Sequence, residues 1–273
     1  MFKTRLFSGI ILLTVTISLF LVGGVPLGTV LFCISCIGWH ELCSALSGNT
    51  QARKVDGLEI AGMLGSAGLY AVIMFTSNPV FELMCIVGTV LLILLIYVVR
   101  FPKYTVDQVL ANVFSLLYLP VLLSFIYVLR NMEGYGLYLV WLVLICSWGC
   151  DTFAYCVGKL IGKHKIFPVL SPNKSLEGCI GGVLGAALLG FLYGFLYVSP
   201  ATGNSDFSWM LAVLCGVGGL IGMLGDLAAS GIKRNKGIKD YGRLIPGHGG
   251  IVDRFDSTIV CAPIIYLLFI LFM

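Results

Sequence analysis

Charge is what this sequence has least of. Asp, Glu, Lys and Arg together make up 11% of its 273 residues while 59% are hydrophobic, and the mean hydropathy is +1.01. A soluble domain carries about a quarter of its residues as charges, so a water-soluble globular chain is excluded at once. Histidine is scarcer still, with three residues. No second cysteine pair or histidine stands at zinc-ligand spacing from Cys33 and Cys36, which leaves a zinc site without ligands. Nearly all of the ten cysteines fall inside apolar runs, where a thiol packs as a small hydrophobe. No repeat of solenoid period, low-complexity tract or soluble extra domain interrupts the chain. Residues 1–273 therefore read as one membrane domain.

What fills the chain instead is apolar runs about 20 residues long, the length needed to cross a hydrocarbon core of about 30 Å. Nine are read, at residues 7–22, 25–47, 59–76, 80–99, 109–129, 136–160, 177–198, 208–229 and 254–273. The expected fold is all-α, a polytopic integral membrane protein of about nine transmembrane helices. The first two runs are separated only by Gly23, Gly24 and Pro26, and one long kinked segment is the alternative. Residues 1–20 share the basic start and apolar core of a signal peptide, with Lys3 and Arg5 in front. No small-x-small cleavage site follows, so they read as an uncleaved first span.

The placement of charge tests the count. With nine spans and a cytoplasmic N-terminus, 16 of the 17 Lys and Arg residues fall on the inner side and Arg130 alone falls outside. The positive-inside rule rarely yields so lopsided a distribution when a span has been missed or invented. The net charge of +4 is thus a signal of topology and of anionic substrate, not of nucleic acid. Residues 1–130 have few polar groups and read as scaffold, whereas 136–273 hold the site-bearing helices and cytoplasmic loops. Within the scaffold, His40 and Glu41 read as interfacial residues at the inner boundary, with a role lining the site as the alternative, and Glu82 lies near the outer face. The loop Arg100–Tyr104 suits either a topology anchor or anionic lipid headgroups.

Polar chemistry is concentrated between Ser230 and Asp256. The stretch SGIKRNKGIKDYGRLIPGHGGIVDRFD holds Lys233, Arg234, Lys236, Lys239, Arg243 and Arg254, with Asp240, Asp253, Asp256 and His248 among them. Lysine and arginine neutralise and orient phosphate oxygens, and carboxylates hold magnesium while substrate phosphates supply further ligands. A loop that only fixed topology could carry its bases in any order. Here Pro246-Gly247 and Gly249-Gly250 make turns that deliver Asp253, Arg254 and Asp256 to the mouth of the last apolar run. Asp253 and Asp256 are three apart and share a helical face, and such a pair at a membrane edge is costly without a cation. Asp226, ending the eighth run, is placed to join them around one ion.

A second polar block runs from Asp151 to Gly178. Asp151, Tyr155, Gly158 and Lys159 line one stripe of the sixth span, where the aspartate faces either a cavity or base or makes a structural hydrogen bond to a neighbouring span. The run Ser171-Pro172-Asn173-Lys174-Ser175 then leads into a helix containing Glu177, with Ser175 or Asn173 as its cap. A helix N-terminus beside Lys174 suits an anion. The glycines of the seventh and eighth spans, several of them four apart, serve close helix packing.

The spacing of Ser230, Lys233-Arg234, Lys239-Asp240, Gly242, Pro246, His248-Gly249-Gly250, Asp253-Arg254 and Asp256 resembles the signature of the phosphatidate cytidylyltransferase (CDP-diacylglycerol synthase) family. The Asp151 to Gly178 block resembles a second segment of the same family. The resemblance implies transfer of a cytidylyl group from CTP to phosphatidate, giving CDP-diacylglycerol and pyrophosphate, at the cytoplasmic face of a bacterial inner membrane. It also implies a homodimer. On this reading Asp226, Asp253 and Asp256 hold magnesium, with a second cation left open. Lys239, Asp253, Asp226 and His248 carry catalysis. Ser230, Lys233, Arg234, Lys239, Arg254, Lys174, Ser175 and Asp151 contact substrate. The competing classes are an ion-coupled transporter and a CTP-dependent lipid kinase. A CDP-alcohol phosphotransferase lacks its run of four aspartates here.

The topology is open to direct measurement. In a background freed of native cysteines, a cysteine placed at Asp206 is expected to react with an impermeant maleimide only from the outer side, and one at Lys236 only from the cytoplasm. Labelling of position 236 from outside overturns the nine-span, N-in arrangement.

Overall fold

The computed structural model describes residues 2–47, 54–76, 78–245 and 249–273, with the side chains of the first helix from Phe7 onward. Its elements are helices α1 (Phe2–Val22), α2 (Gly24–Leu46), α3 (Gly57–Phe75), α4 (Pro79–Val99), α5 (Val106–Arg130), α6 (Gly136–Ile161), α7 (Leu176–Thr202), α8 (Asp206–Asn235) and α9 (Val252–Phe272). Among the described residues, α2 to α9 are each long and apolar enough to cross a membrane, and α1 adds a shorter apolar stretch, Phe7–Val22. The chain is an all-α polytopic membrane protein, as the apolar runs imply. Gly23 and Gly24 break α1 from α2 with φ of 63° and 53°, a left-handed conformation that glycine adopts without steric cost. The first two runs are therefore two helices, not one kinked segment.

Helix starts follow local sequence. Asp56 Oδ1 accepts from Leu58 N at 2.9 Å and Glu59 N at 3.0 Å at the head of α3. Asn78 caps α4 through Val80 N at 3.0 Å, with Pro79 in the first turn where its missing N–H costs nothing. Thr105 and Gln108 cap α5 reciprocally. Three of the long helices contain a π turn: Leu117–Val121 in α5, Ile145–Gly149 in α6 and Gly194–Val198 in α7. The first of these includes Pro120, which cannot donate to the helical ladder.

The chain folds into two compact units, Met1–Val128 with Asn235–Arg254, and Leu129–Arg234 with Phe255–Met273. In the first, Trp39 is fully buried and its Nε1 donates to Asn112 Oδ1 on α5 at 2.9 Å. Gly62 on α3 leaves room for that indole, whose Cε2 lies 2.9 Å from where a β-carbon would stand. The loop Asn235–Arg254 belongs to this N-terminal unit.

In the second unit, glycine sets how closely helices approach. A β-carbon on Gly178 of α7 would stand 2.8 Å from Ala154 O of α6, and one on Gly190 would stand 2.5 Å from Leu211 O of α8. Gly225 of α8 would meet Asp256 O of α9 at 2.8 Å. The expectation that these glycines pack helix on helix is correct. Cysteines fill the same seams: Cys261 Sγ donates to Gly218 O at 3.4 Å and Cys150 Sγ to Gly219 O at 3.6 Å.

Replacing Gly225 by Ala inserts a methyl group against the Asp256 carbonyl and Val260. Such overpacking costs about 1–3 kcal/mol. The variant is expected to unfold at a lower temperature in detergent than the parent, whereas Gly88→Ala, within α4 at a position with open space around it, is expected to lose less.

Candidate active site

In the second unit, polar groups collect at the ends of α6, α7, α8 and α9. Helix α8 has 30 residues and is about 45 Å long at 1.5 Å per residue, well beyond a hydrocarbon core of about 30 Å. Asp226, Ser230 and Lys233 follow one another at helical spacing near its end and share a face. Because Gly225 lets α9 lie directly against α8, the Asp256 carboxyl comes within electrostatic reach of Asp226, Lys233 and Asp151. Asp256 Oδ1 also accepts from Ser257 N at 2.8 Å.

Lys174 answers part of this negative charge. Its Nζ lies 2.6 Å from Asp226 Oδ2 and donates to Met223 O at 3.4 Å. The lysine is delivered by a folded loop. Lys165 bridges to Ser175, Lys165 Nζ donates to Asn173 O at 3.1 Å, and Glu177 accepts from Lys163 N at 3.1 Å and pairs with His164 Nδ1 at 2.6 Å. Ser175 caps α7, accepting from Gly178 N at 3.2 Å. Asn173, offered as the alternative cap, is not the one used. Asp151, Tyr155, Asn173, Lys174, Ser175 and Cys179 line a cavity of about 160 Å³, so Asp151 faces a cavity.

In the N-terminal unit, the loop ahead of α9 is gathered around two buried carboxylates. Asp253 Oδ2 accepts from Tyr241 N at 2.8 Å and from Gly250 N at 3.0 Å. Glu41, on α2, accepts from Ile251 N at 3.1 Å through Oε1 and from Val252 N at 3.0 Å through Oε2. It therefore satisfies backbone donors at the head of α9 that have no helical partner of their own. Negative charge at a helix N-terminus is favourable. Glycines crowd these carboxylates: a β-carbon on Gly250 would lie 2.5 Å from Glu41 Oε2, and one on Gly242 would lie 2.6 Å from Glu41 Cδ. At Gly249, φ is +86°, which bends the chain over the Asp253 carboxylate. Behind Glu41, His40 Nδ1 lies 2.8 Å from Glu59 Oε2, and Glu59 is fully buried.

Comparison with known proteins gives this arrangement a family. Residues 3–272 match the sequence model of the Cytidylyltransferase family. The chain is 32% identical over 276 residues to the phosphatidate cytidylyltransferase of Staphylococcus aureus (strain COL), covering 98% of this chain and 99% of the relative. It is 29% identical over 276 residues to that of Bacillus subtilis (strain 168), covering 99% and 98%. The chain belongs to the Cytidylyltransferase family. The resemblance read from the polar blocks is thus correct.

The structure of this cytidylyltransferase distributes the expected site residues unevenly. Asp151, Lys174, Ser175, Asp226, Ser230, Lys233, Arg234 and Asp256 lie in the second unit, with Arg234 exposed and Lys233 partly covered. Lys239, Asp253 and Arg254 lie in the first, with Lys239 exposed on the loop and Asp253 only 7% exposed. His248 and the Pro246-Gly247 turn lie outside the described residues, as do Arg53, Ser77 and the side chains of Lys3 and Arg5. No group of three His, Cys, Asp or Glu side chains stands at metal-site spacing among the described residues. The neighbouring carboxylates of Asp226 and Asp256 nevertheless fit magnesium, which takes one or two protein oxygens and draws its other ligands from phosphates and water.

Glu41 is not a solvated boundary side chain: it is buried, 8% exposed. Its signal was present in the sequence as a carboxylate beside Trp39 on an apolar helix, a placement that demands partners. The partners lie 210 positions away, which no local pattern displays. Glu41→Gln replaces one acceptor oxygen by a donor and leaves a backbone N–H at the head of α9 unpaired, a loss of about 1–3 kcal/mol. A lower melting temperature with reduced turnover is the expected outcome, and unchanged melting with unchanged turnover contradicts the capping role.

Proposed function

We propose that the chain is a phosphatidate cytidylyltransferase, joining CTP and phosphatidate to give CDP-diacylglycerol and pyrophosphate. The observation that carries this reading is the convergence of Asp226, Asp256 and Asp151 with Lys174 and Lys233 at the end of an α8 too long to remain in hydrocarbon. It is supported by family membership and by the names of full-length relatives. Family membership also leaves the transporter and lipid-kinase alternatives without a supporting observation.

In the proposed reaction, a phosphate oxygen of phosphatidate attacks the α-phosphorus of CTP. The new P–O bond forms as the bond to the β-phosphate breaks, and pyrophosphate leaves with the electron pair. Phosphatidate is already largely ionised at neutral pH, so no side chain has to remove a proton. The protein's task is to bring two anions together and neutralise the departing one. Lys174 and Lys233 are assigned to the phosphates nearest Asp226. Lys239, Arg234 and Arg254 are assigned to the remaining phosphate oxygens, with Ser230 and Ser175 as hydroxyl donors, and His248 is assigned a hydrogen bond to phosphate. Asp226 and Asp256, with Asp253 as the third carboxylate assigned from sequence, would hold magnesium. When bound, the ion supplies charge neutralisation for the nucleotide phosphates. The proposed setting is the cytoplasmic face of a bacterial inner membrane, with the N-terminus inside and a homodimer as the working form.

The test uses purified protein in detergent with phosphatidate, magnesium and CTP labelled at the α-phosphate, scored by label entering the lipid phase. Transfer is expected, with loss in EDTA and recovery on adding magnesium. Asp256→Asn keeps the side-chain shape and removes the charge, and a fall in turnover of at least about 100-fold is expected with no loss of thermal stability. Full activity of Asp256→Asn with ordinary magnesium dependence sinks the metal assignment. Absence of label transfer by the parent protein sinks the function.

A further inference from the structure

The first unit contains a second cavity that none of the roles above uses. It has a volume of about 480 Å³ and is lined by α2, by the start of α3 and by Tyr241–Leu244, within the range of about 300–1,000 Å³ typical of ligand sites. Its lining is graded along α2. Cys36 and Ile37 come first, His40 and Glu41 one turn later, and Ser44 one turn later again. Met63 of α3 and Arg243 of the loop also line it. The α2 wall of the cavity thus runs from apolar Ile37 to polar His40 and Ser44 over about two helical turns, about 12 Å. Ile37, Val55 and Leu244 on its wall are exposed apolar residues, 39%, 46% and 56% accessible, which suits a hydrocarbon chain better than a nucleotide.

Ser44 points to a ligand independently. It is 6% exposed and lines the cavity, yet its Oγ has no hydrogen-bond partner. A buried hydroxyl without a partner costs free energy that a ligand oxygen would relieve. Two further groups have polar atoms to offer. Arg243 presents a planar fork suited to phosphate oxygens, and His40, held through Nδ1 by Glu59, has Nε2 left. Glu41 does not oppose an anion strongly, because its oxygens already receive the amides of Ile251 and Val252.

We infer that this cavity binds the phosphate headgroup of an anionic phospholipid, with the headgroup at Arg243, His40 and Ser44 and the start of an acyl chain along Ile37 and Met63. The inference does not depend on the transfer reaction. The headgroup chemistry is common to a phosphomonoester lipid such as phosphatidate and a phosphodiester lipid such as phosphatidylglycerol.

The experiment places the full-length protein in nanodiscs doped with phosphatidate, phosphatidylglycerol or phosphatidylcholine carrying a photoactivatable group near the head of one acyl chain. Cross-linked peptides are mapped by mass spectrometry. Labelling of the α2 and α3 segments containing Ile37 and Met63 is expected from an anionic probe at about tenfold the level from phosphatidylcholine, as one lost charge-assisted contact implies. Phosphatidate alone labelling the cavity supports the inference with substrate as the occupant, and both anionic probes labelling it supports bulk anionic lipid. Arg243→Ala, on an exposed loop, and Val55→Trp, which fills the mouth, are each expected to cut labelling about tenfold while the protein elutes unchanged from a sizing column. Equal labelling by phosphatidylcholine, labelling that survives Arg243→Ala in correctly eluting protein, or labelling of these segments by a photoactivatable cytidine nucleotide instead of lipid overturns the inference.

Discussion

The structure depends on how a buried carboxylate can exist at all in an apolar chain. Glu41 sits among helices where a free charge would be costly, and it is tolerated because two backbone amides at the head of α9 have no helical partner and point at it. Each side of this contact solves the other's problem. An uncapped helix start and an unpartnered carboxylate are both costly when buried, and together they are satisfied. The loop between α8 and α9 inherits its course from that match. Gly242 and Gly250 pass so close to Glu41 that a side chain on either would displace the carboxylate, and Asp253 then gathers the amides of Tyr241 and Gly250 one step further on.

In the second unit the governing constraint is distance between helix axes. Carboxylates near a membrane boundary act together only if the backbones that carry them nearly touch, and Gly225 provides that contact against Asp256. The resulting negative charge is balanced by Lys174 through a direct ion pair with Asp226. A buried or half-buried pair of this kind contributes little net stability once desolvation is counted. Its value lies in holding a cation of the protein's own among the carboxylates.

Much of this was legible in the sequence. Apolar runs of membrane-spanning length anticipate the long helices of the described residues, α2 to α9, and the shorter apolar stretch of α1, because in lipid only helices and closed barrels satisfy their own backbone. The block Ser171–Glu177 announced a capped helix start beside a lysine, and Ser175 is that cap. Glycines four apart announced close packing. The Lys174–Asp226 pair was not legible, since both residues read separately as ligands for other groups and only the folded loop shows them bonded. The partners of Glu41 were not legible for a related reason: they are backbone amides, which every residue possesses. Backbone partners leave no trace in residue type.

The π turn at Ile145–Gly149 has a further consequence. A π turn holds one residue more than the α-helical turn it replaces, so everything after it is rotated by about 100° relative to an uninterrupted helix. Asp151 follows immediately and faces the cavity with Lys174 and Ser175. The facing of this aspartate is thus set by a single surplus residue in the preceding turn. The length of α6 upstream of Asp151 is as much a part of its chemistry as the carboxylate itself, and a family member shorter by one residue there would need a different acid in its place.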